Sequence, residues 1–304
     1  MKHNSKVALW KNQSNSDKIF DIVIWLFSAL AFIICLYPLY YVLIISFSEK
    51  IVGTYLFPQG FNLEGYKLVF ADTNIWIGYG NTIINTVLGV ICGLFVTLPG
   101  AYALSRKDFV GRNLVTTILM ITMFVGGGLI PTYLTVYNLG LVDTRWAVIL
   151  VSLVSTYNVI VARTFFANSI PGELFDAASI DGCGNGRFFI SVVLPLSKPI
   201  IAVIALYIGV DRWNSYFEEM IYLRDKALST LSLVLRRLLW SVEALEAQIE
   251  AGLVLDVSET MAKMELATVM QFCLIVVSTL PMMIIYPYLQ KYFAKGTMIG
   301  SVKG

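Results

Sequence analysis

The run Gly182-Cys183-Gly184-Asn185-Gly186 is glycine-rich, as phosphate-binding loops are. Glycine-rich loops bind phosphate because their backbone N–H groups approach it closely, but such loops follow a strand and carry further defining residues. Here the glycines follow a helical pattern, with neither a Gly-Lys-Ser/Thr ending nor the full GxGxxG spacing. We therefore expect no nucleotide to bind at this segment.

Acid–base and metal chemistry have few candidate residues elsewhere. The lone histidine, His3, lies in the N-terminal tail, so no histidine is present in the apolar part of the chain for proton transfer or metal binding. Cys35, Cys92 and Cys273 lie in apolar runs without CxxC pairing, which indicates neither a disulfide framework nor a zinc site. The sequence thus predicts no catalytic residue, no metal site and no cofactor bound by this chain.

A third group of candidate residues combines aromatic rings with short polar side chains inside an apolar stretch. Its members are Tyr207, Asp211, Trp213, Asn214 and Tyr216. Such residues can stack on a sugar ring and hydrogen-bond its hydroxyls, but aromatic residues near a membrane face also serve as interface anchors. Both interpretations stay open. Asp211 and Arg212 point about 100° apart on a helix, so at least one must face inward, and we expect Asp211 to hydrogen-bond within the protein.

The composition defines the environment in which these residues work. Hydrophobic residues make up 57% of the 304 residues and charged residues 14%, which leaves too little polar surface to cover a soluble globule. The net charge of +2 comes from scattered basic residues, so a nucleic-acid-binding surface is not indicated. We expect an all-α integral membrane protein.

The apolar runs predict six membrane-spanning helices, since a span needs about 20 mainly apolar residues. The spans are predicted between Asp21 and Glu49, from near Asn81 to Ser105, between Arg112 and Asp143, from about Trp146 to Phe166, from near Lys198 to about Tyr222, and between Glu265 and Lys291. Gly126–Gly128 inside the third span favour a kink or close helix packing over ligand contact.

Lysine and arginine residues in the short flanking segments predict the orientation. They cluster before the first span, between the second and third spans and after the sixth, so these segments and both termini are expected in the cytoplasm. The corresponding divisions are a cytoplasmic tail (1–20), a first helix with an extracytoplasmic loop (21–80), a core (81–292) and a cytoplasmic tail (293–304). The loop 223–265 is predicted outside, with an amphipathic helix over Ser241–Ile249.

The polar segment between the fourth and fifth spans, 170–187, predicts a short cytoplasmic helix. Pro171 favours a helix start, Glu173 and Asp176 suit the positive N-terminal end, and Gly182 can end the helix at positive φ. The i, i+3, i+4 spacing places Leu174, Phe175, Ala178 and Ile180 near one face. So short a helix is marginal alone in water. It therefore either docks on another surface or is a solvated loop helix.

These residues also carry a family resemblance. Asp176-Ala177-Ala178, then Gly182, then Val192 and Leu194-Pro195 resembles the EAA signature of ABC-importer permease subunits, with Asp where the family usually has Glu. Three further runs resemble the carbohydrate branch of that family: 101–106 before Gly111-Arg112, 211–217, and 290–296. The runs 126–133 and 138–141 are similar to a narrower group that handles complex or plant-cell-wall-derived oligosaccharides with a lipoprotein partner.

The resemblance implies a type I importer fold and a division of labour in the bacterial cytoplasmic membrane. A second, homologous permease subunit would complete the pathway, a dimer of ABC ATPase subunits would use ATP and Mg²⁺, and an extracytoplasmic lipoprotein or periplasmic protein would deliver an oligosaccharide. The polar segment would be the coupling helix on the ATPase. The implied coupling residues are Glu173, Leu174, Phe175, Asp176, Ala177, Ala178, Asp181 and Gly182. The alternatives are a permease for a non-sugar solute and a membrane enzyme or scaffold.

Overall fold

The computed structural model describes residues 14–49, 57, 60–253 and 256–300, with side chains described as far as Pro287. Within these ranges the regular structure is helical throughout. Most of the predicted N-terminal tail and residues 301–304 of the predicted C-terminal tail lie outside the described residues. The side chains of the 290–296 run do so as well.

The described chain divides into two compact units, 1–69 with 245–277, and 70–244 with 278–304. The first unit contains helices α1 (Asn15–Ser46) and α2 (Glu64–Ala71). Two polar contacts at Ser46 stabilise its interior. The Tyr66 hydroxyl donates to Ser46 Oγ at 2.8 Å, and the Cys273 thiol lies 3.4 Å from the Ser46 carbonyl oxygen. Gly65 allows this approach because a Cβ there would come within 2.6 Å of Val269 and 2.8 Å of Cys273.

The second unit holds the shorter helices and the sites described below. In chain order its helices are α3 (Thr73–Ser105), α4 (Arg112–Phe124), α5 (Leu129–Asn138), α6 (Arg145–Val151), α7 (Thr156–Ser169), α8 (Gly172–Ile180), α9 (Asn185–Leu196), α10 (Lys198–Asn214) and α11 (Phe217–Tyr222). Helices α12 (Leu231–Glu250) and α13 (Val257–Gly300) contribute to both units.

Among the described residues, three helices are long and apolar enough to cross a membrane unaided, and up to six spans result if each bent helix pair is one span. The three are α1, α3 and the 257–287 part of α13. The bent pairs are α4 with α5 at 115°, α6 with α7 at 53°, and α9 with α10 at 84°. The apolar runs predicted from the sequence are therefore present, but three of them are interrupted.

Two breaks within the predicted spans have a visible local cause, and neither is the bend between α9 and α10. The third predicted span breaks at Gly126–Gly128, where Gly128 adopts φ +82°, a conformation that side-chain-bearing residues rarely adopt. The prediction of a continuous helix from Lys198 to Tyr222 is wrong. Helix α10 ends at Asn214 because Ser215 takes an extended backbone conformation, and α11 begins two residues later.

Helix α3 lies at the centre of the second unit and packs against α7 and α10. Two glycines spaced by four residues, Gly89 and Gly93, allow α10 to come close. A Cβ at Gly89 would lie 3.0 Å from Arg212 Cγ, and a Cβ at Gly93 would lie 2.9 Å from Ile208 Cδ1. The surrounding core is apolar, with Phe166 and other side chains fully buried.

Candidate coupling and transport sites

Helix α8 occupies the segment predicted to dock on a partner, although it is shorter than the 170–187 prediction. It begins at Gly172 after Pro171 and ends at Ile180. Gly182, at φ +74°, donates its N–H to the Ser179 carbonyl at 3.0 Å, and the Cys183 N–H bonds to the Ala178 carbonyl at 2.9 Å. These two bonds form a Schellman motif, which requires the left-handed residue that glycine supplies.

One face of α8 packs against the protein core and the other is exposed to solvent. Phe175 and Ala178 pack against the protein core, whereas Leu174 and Ile180 are exposed, Ile180 by 88%. Of the four residues predicted to lie near one face, Phe175 and Ala178 are thus packed against the core and the other two are exposed. The opposite face presents Ile180 together with exposed Glu173, Asp176 and Ala177. This leaves a small apolar surface, bordered by carboxylates, on the side away from the core.

Phe175 fixes α8 to the end of α3. Its ring makes an edge contact with the buried ring of Phe188, with centroids 5.3 Å apart. On its other side the guanidinium carbon of Arg106 lies 3.4 Å from the ring centre, within the range of a cation–π contact. Arg106 follows the last residue of α3, so this contact joins α8 directly to the central helix of the unit.

Asp108 holds Arg106 in place. Its carboxylate accepts two hydrogen bonds, from Arg106 Nε at 2.9 Å and from Nη2 at 2.8 Å. These side-chain hydrogen bonds lower the pKa of Asp108 and raise the pKa of Arg106, because they favour the charged form of each group. A cleft of about 650 Å³ runs between this pair and α8, and Glu173, Phe175 and Asp176 are among its lining residues.

A second polar region lies where the predicted fourth span is broken between α6 and α7. Arg212 of α10 is 3% exposed and donates to the carbonyls of Val148 at 2.7 Å and Ile149 at 3.2 Å, in the last turn of α6. A guanidinium suits this position because the C-terminal end of a helix carries unpaired carbonyls and partial negative charge. The Ser152 hydroxyl, just beyond α6, donates to Glu218 of α11.

A cleft of about 440 Å³ opens beside this break. Its lining residues are Ser152, Leu153, Ser155, Tyr157, Asn158, Tyr207, Ile208 and Asp211. Two of the five predicted pathway residues, Tyr207 and Asp211, are thus brought together. Sequence reasoning missed Ser152, Ser155 and Asn158. The available signal was two serines three residues apart within an apolar run, because serine favours helix ends over helix interiors.

The other three predicted pathway residues lie elsewhere. Trp213 is 8% exposed, and its indole N–H donates to the Ser278 carbonyl at 3.1 Å. The Asn214 amide donates to the Val210 carbonyl at 2.8 Å, and Tyr216 lies near Arg236. The expectation that Asp211 would be hydrogen-bonded is wrong as far as the described residues go, since none of them bonds to its carboxylate. Arg212 is the inward-facing member of the pair, because Gly89 leaves room for its stem and α6 offers it carbonyls.

Asp143 fixes the connection between α5 and α6. Its carboxylate accepts hydrogen bonds from the backbone N–H groups of Asp225 and Arg224, each at 2.9 Å. These bonds lower the pKa of Asp143 because they favour its charged form. The residue adopts φ +64°, which aspartate tolerates better than most residues.

Metal-ligand geometry is missing from the described part of the chain, where no three histidine, cysteine, aspartate or glutamate residues lie together as a metal site would need. The two polar regions contain hydrogen bonds, aromatic contacts and paired charges. Such groups can hold a helix for docking and bind a hydroxylated solute.

Comparisons with known proteins give relatives that match almost the whole chain. The polygalacturonan/rhamnogalacturonan transport system permease protein YtcP of Bacillus subtilis is 36% identical over 293 residues, which cover 95% of this chain and 99% of the relative. The arabinooligosaccharides transport system permease protein AraQ of Halalkalibacterium halodurans is 31% identical over 303 residues, covering 94% and 99%. No protein-family model matches the chain.

A solved structure has the same fold. It is a chain from the crystal structure of a bacterial ABC transporter involved in the import of the acidic polysaccharide alginate. The TM-score is 0.80 at 31% sequence identity, and the match covers 92% of this chain and 99% of the other.

Proposed function

This chain belongs to the family of sugar ABC-importer permease subunits, and from that premise we propose that it forms half of the membrane pathway for an oligosaccharide derived from a complex plant or algal polysaccharide. As a permease subunit it is an integral membrane protein and not an enzyme, since ATP hydrolysis belongs to a separate subunit of such transporters. The polygalacturonan/rhamnogalacturonan relative, matched over nearly its full length, carries the proposal on substrate class.

Helix α8 is the proposed coupling helix to the ATPase. Its outward face combines exposed Ile180 with Glu173 and Asp176, while Phe175 and Arg106 tie the opposite face to α3. A helix anchored in this way can transmit a push from a docked ATPase to the central helix, because its movement is not absorbed by a loose loop. ATP and Mg²⁺ then act at the partner.

The remaining partners follow from the family. We expect a second permease subunit, an ABC ATPase dimer and an extracytoplasmic solute-binding protein, with both termini of this chain in the cytoplasm. The broken spans beside Asp211 and Tyr207 form the proposed pathway surface. Interrupted helices at membrane depth are tolerated where they line a cavity, and solute sites of transporters are built there.

Affinity purification of the tagged chain from its native membrane in a mild detergent tests the assembly. Mass spectrometry should identify a second permease, an ABC ATPase and a solute-binding protein. The purified complex in proteoliposomes should then take up oligosaccharides from digested pectin or alginate when ATP is enclosed. A complex without an ATPase would contradict the permease assignment. Uptake of peptides but not of oligosaccharides would contradict the proposal that the transported solute is a sugar.

A further inference from the structure

The cleft between α6 and α7 carries more hydrogen-bonding capacity than the protein itself uses. Asn158 is 6% exposed and is one of the residues that line the cleft. Within the described residues neither its side-chain amide nor the carboxylate of Asp211 has a hydrogen-bond partner. Polar groups that border an open cleft and have no protein partner are available to hydrogen-bond whatever enters it, so their place in the cleft points to a ligand.

The first turn of α7 adds donors to the same cleft. This helix has 14 residues, and its N-cap Ser155 makes no side-chain capping bond. The first N–H groups of a helix have no partner within the helix, so they are donors for whatever enters. Ser155, Tyr157 and Asn158 all lie in the cleft lining, which places this turn at its wall.

The charges around the cleft decide which ligand fits. Donors come from the start of α7 and from Asn158, while Asp211 supplies an acceptor in the same lining. The lining includes an aspartate but neither lysine nor arginine. A sugar hydroxyl both accepts and donates, so it can accept from α7 and donate to Asp211. A uronate carboxylate has no proton to give and would be repelled by Asp211.

Aromatic rings complete the fit. Tyr157 and Tyr207 lie at the cleft with ring centroids 6.2 Å apart, inclined at 45°. Such rings can cover the apolar face of a pyranose while its hydroxyls turn to the polar wall. We propose that this cleft is a binding subsite for an uncharged sugar ring of the transported oligosaccharide, held by Asn158, the first turn of α7 and Asp211. This proposal rests on the proposed function.

Saturation-transfer NMR on the whole transporter complex in nanodiscs, without its binding protein, tests the subsite. The probes are α-1,4-galactobiose and α-1,4-digalacturonate. In each ring C6 belongs to a hydroxymethyl group in the first sugar and to a carboxylate in the second. Wild type should bind galactobiose more tightly. Asn158→Ala should weaken galactobiose binding about fivefold, as expected for one lost hydrogen bond. Asp211→Asn should reduce the preference for galactobiose over digalacturonate, because removing the charge of Asp211 should improve digalacturonate binding.

Control variants separate the cleft from general damage. Asn138→Ala at the exposed end of α5 and Glu243→Gln on the exposed face of α12 remove the same chemical groups away from the cleft. Both should leave the two affinities unchanged. Equal or tighter binding of digalacturonate by wild type would overturn the proposal, as would unchanged galactobiose binding by Asn158→Ala.

The subsite and the proposed function can fail separately. ATP-driven uptake of oligogalacturonate that is unaffected by substitution at Asp211 and Asn158 would keep the permease role and overturn the uncharged subsite. A complex that takes up no oligosaccharide would instead overturn the proposed sugar transport.

Discussion

Arginine anchors two regions of this chain by opposite means. Arg106, at the end of α3, pairs with Asp108, whose side chain is 61% exposed, and rests on Phe175 of α8. Arg212, beside the break between α6 and α7, is buried and bonds to backbone carbonyls. Surface ion pairs contribute about 0 to 1 kcal/mol and rearrange readily, whereas a buried charge that loses its partners is costly. We therefore expect loss of the Arg212 contacts to cost more stability than loss of the Arg106–Asp108 pair.

Among the substitutions that test this comparison, those at Arg212 should change the free energy of unfolding most. Arg212→Lys keeps a buried charge but cannot reach both carbonyls with a planar fork, so the free energy of unfolding should fall by about 3 kcal/mol. Arg212→Met should lower the free energy of unfolding by less, because it removes the buried charge together with its hydrogen bonds. Thermal unfolding of the purified complex measures both.

Arg112→Lys, at the start of α4, is the matched control and should unfold like wild type. If Arg212→Lys unfolds like wild type too, the break is not held by the guanidinium, and the contrast between the two regions disappears.

Phe175 and Ile180 separate anchoring from docking on the same helix. Phe175→Leu loses the cation–π and ring contacts, so the permease should be destabilised by about 1 to 2 kcal/mol. Ile180→Ser alters an exposed side chain and should leave that stability unchanged while less ATPase co-purifies. Thermal unfolding and quantitative pull-down measure the two effects. Reduced ATPase recovery from neither variant would mean that α8 is a solvated loop helix.

The exposed and buried residues of α8 show what the sequence can and cannot predict. The acids near the helix start, the short helix and the glycine at its end follow from local chemistry, so Gly172–Ile180 and the turn at Gly182 could be anticipated. Which face is buried depends on Phe188 and Arg106, which meet Phe175 through tertiary packing. Periodicity alone therefore could not tell which of the apolar side chains of α8 would be buried.

The cleft illustrates the same limit for the candidate site. Hydropathy finds apolar runs but treats each as continuous, so the break at Ser152–Ser155 and the end of α10 at Asn214 were not anticipated. That Arg212 rather than Asp211 faces inward depends on the room left by Gly89 on another helix. These are contacts between elements far apart in sequence, which no local pattern encodes.

Gly89 offers a matched test of close packing beside Arg212. Gly89→Ala places a Cβ 3.0 Å from Arg212 Cγ, whereas nothing lies within 4 Å of a Cβ at Gly100 on the same helix. Alanine favours the helix by up to about 1 kcal/mol, so Gly100→Ala should be neutral or stabilising. The free energy of unfolding should be about 1 kcal/mol lower for Gly89→Ala than for Gly100→Ala. Equal stability of the two variants would show that the interface between α3 and α10 accommodates a methyl group at position 89.

The smallest effect is expected at Asp143, where the pKa is lowered by backbone hydrogen bonds. Its contribution to stability is present above the ordinary aspartate pKa and is lost as the pH falls through the lowered value. Asp143→Asn tolerates the φ of +64° and removes this ionisation. Unfolding followed downward from about pH 5 should therefore depend less on pH in Asp143→Asn than in wild type. Identical acid profiles would argue against the contact.

Cross-linking at α8 tests the central claim most directly. A background without the native cysteines (Cys35, Cys92, Cys183 and Cys273 changed to Ala) would carry one new cysteine, at Ala177 on the outward face of α8 or at exposed Ala247 on α12. A thiol-to-amine cross-linker added to membranes containing the full transporter should join Ala177→Cys to the ATPase, and the yield should change with ATP. Cross-linking of the ATPase to Ala247→Cys and not to Ala177→Cys would contradict the coupling role of α8.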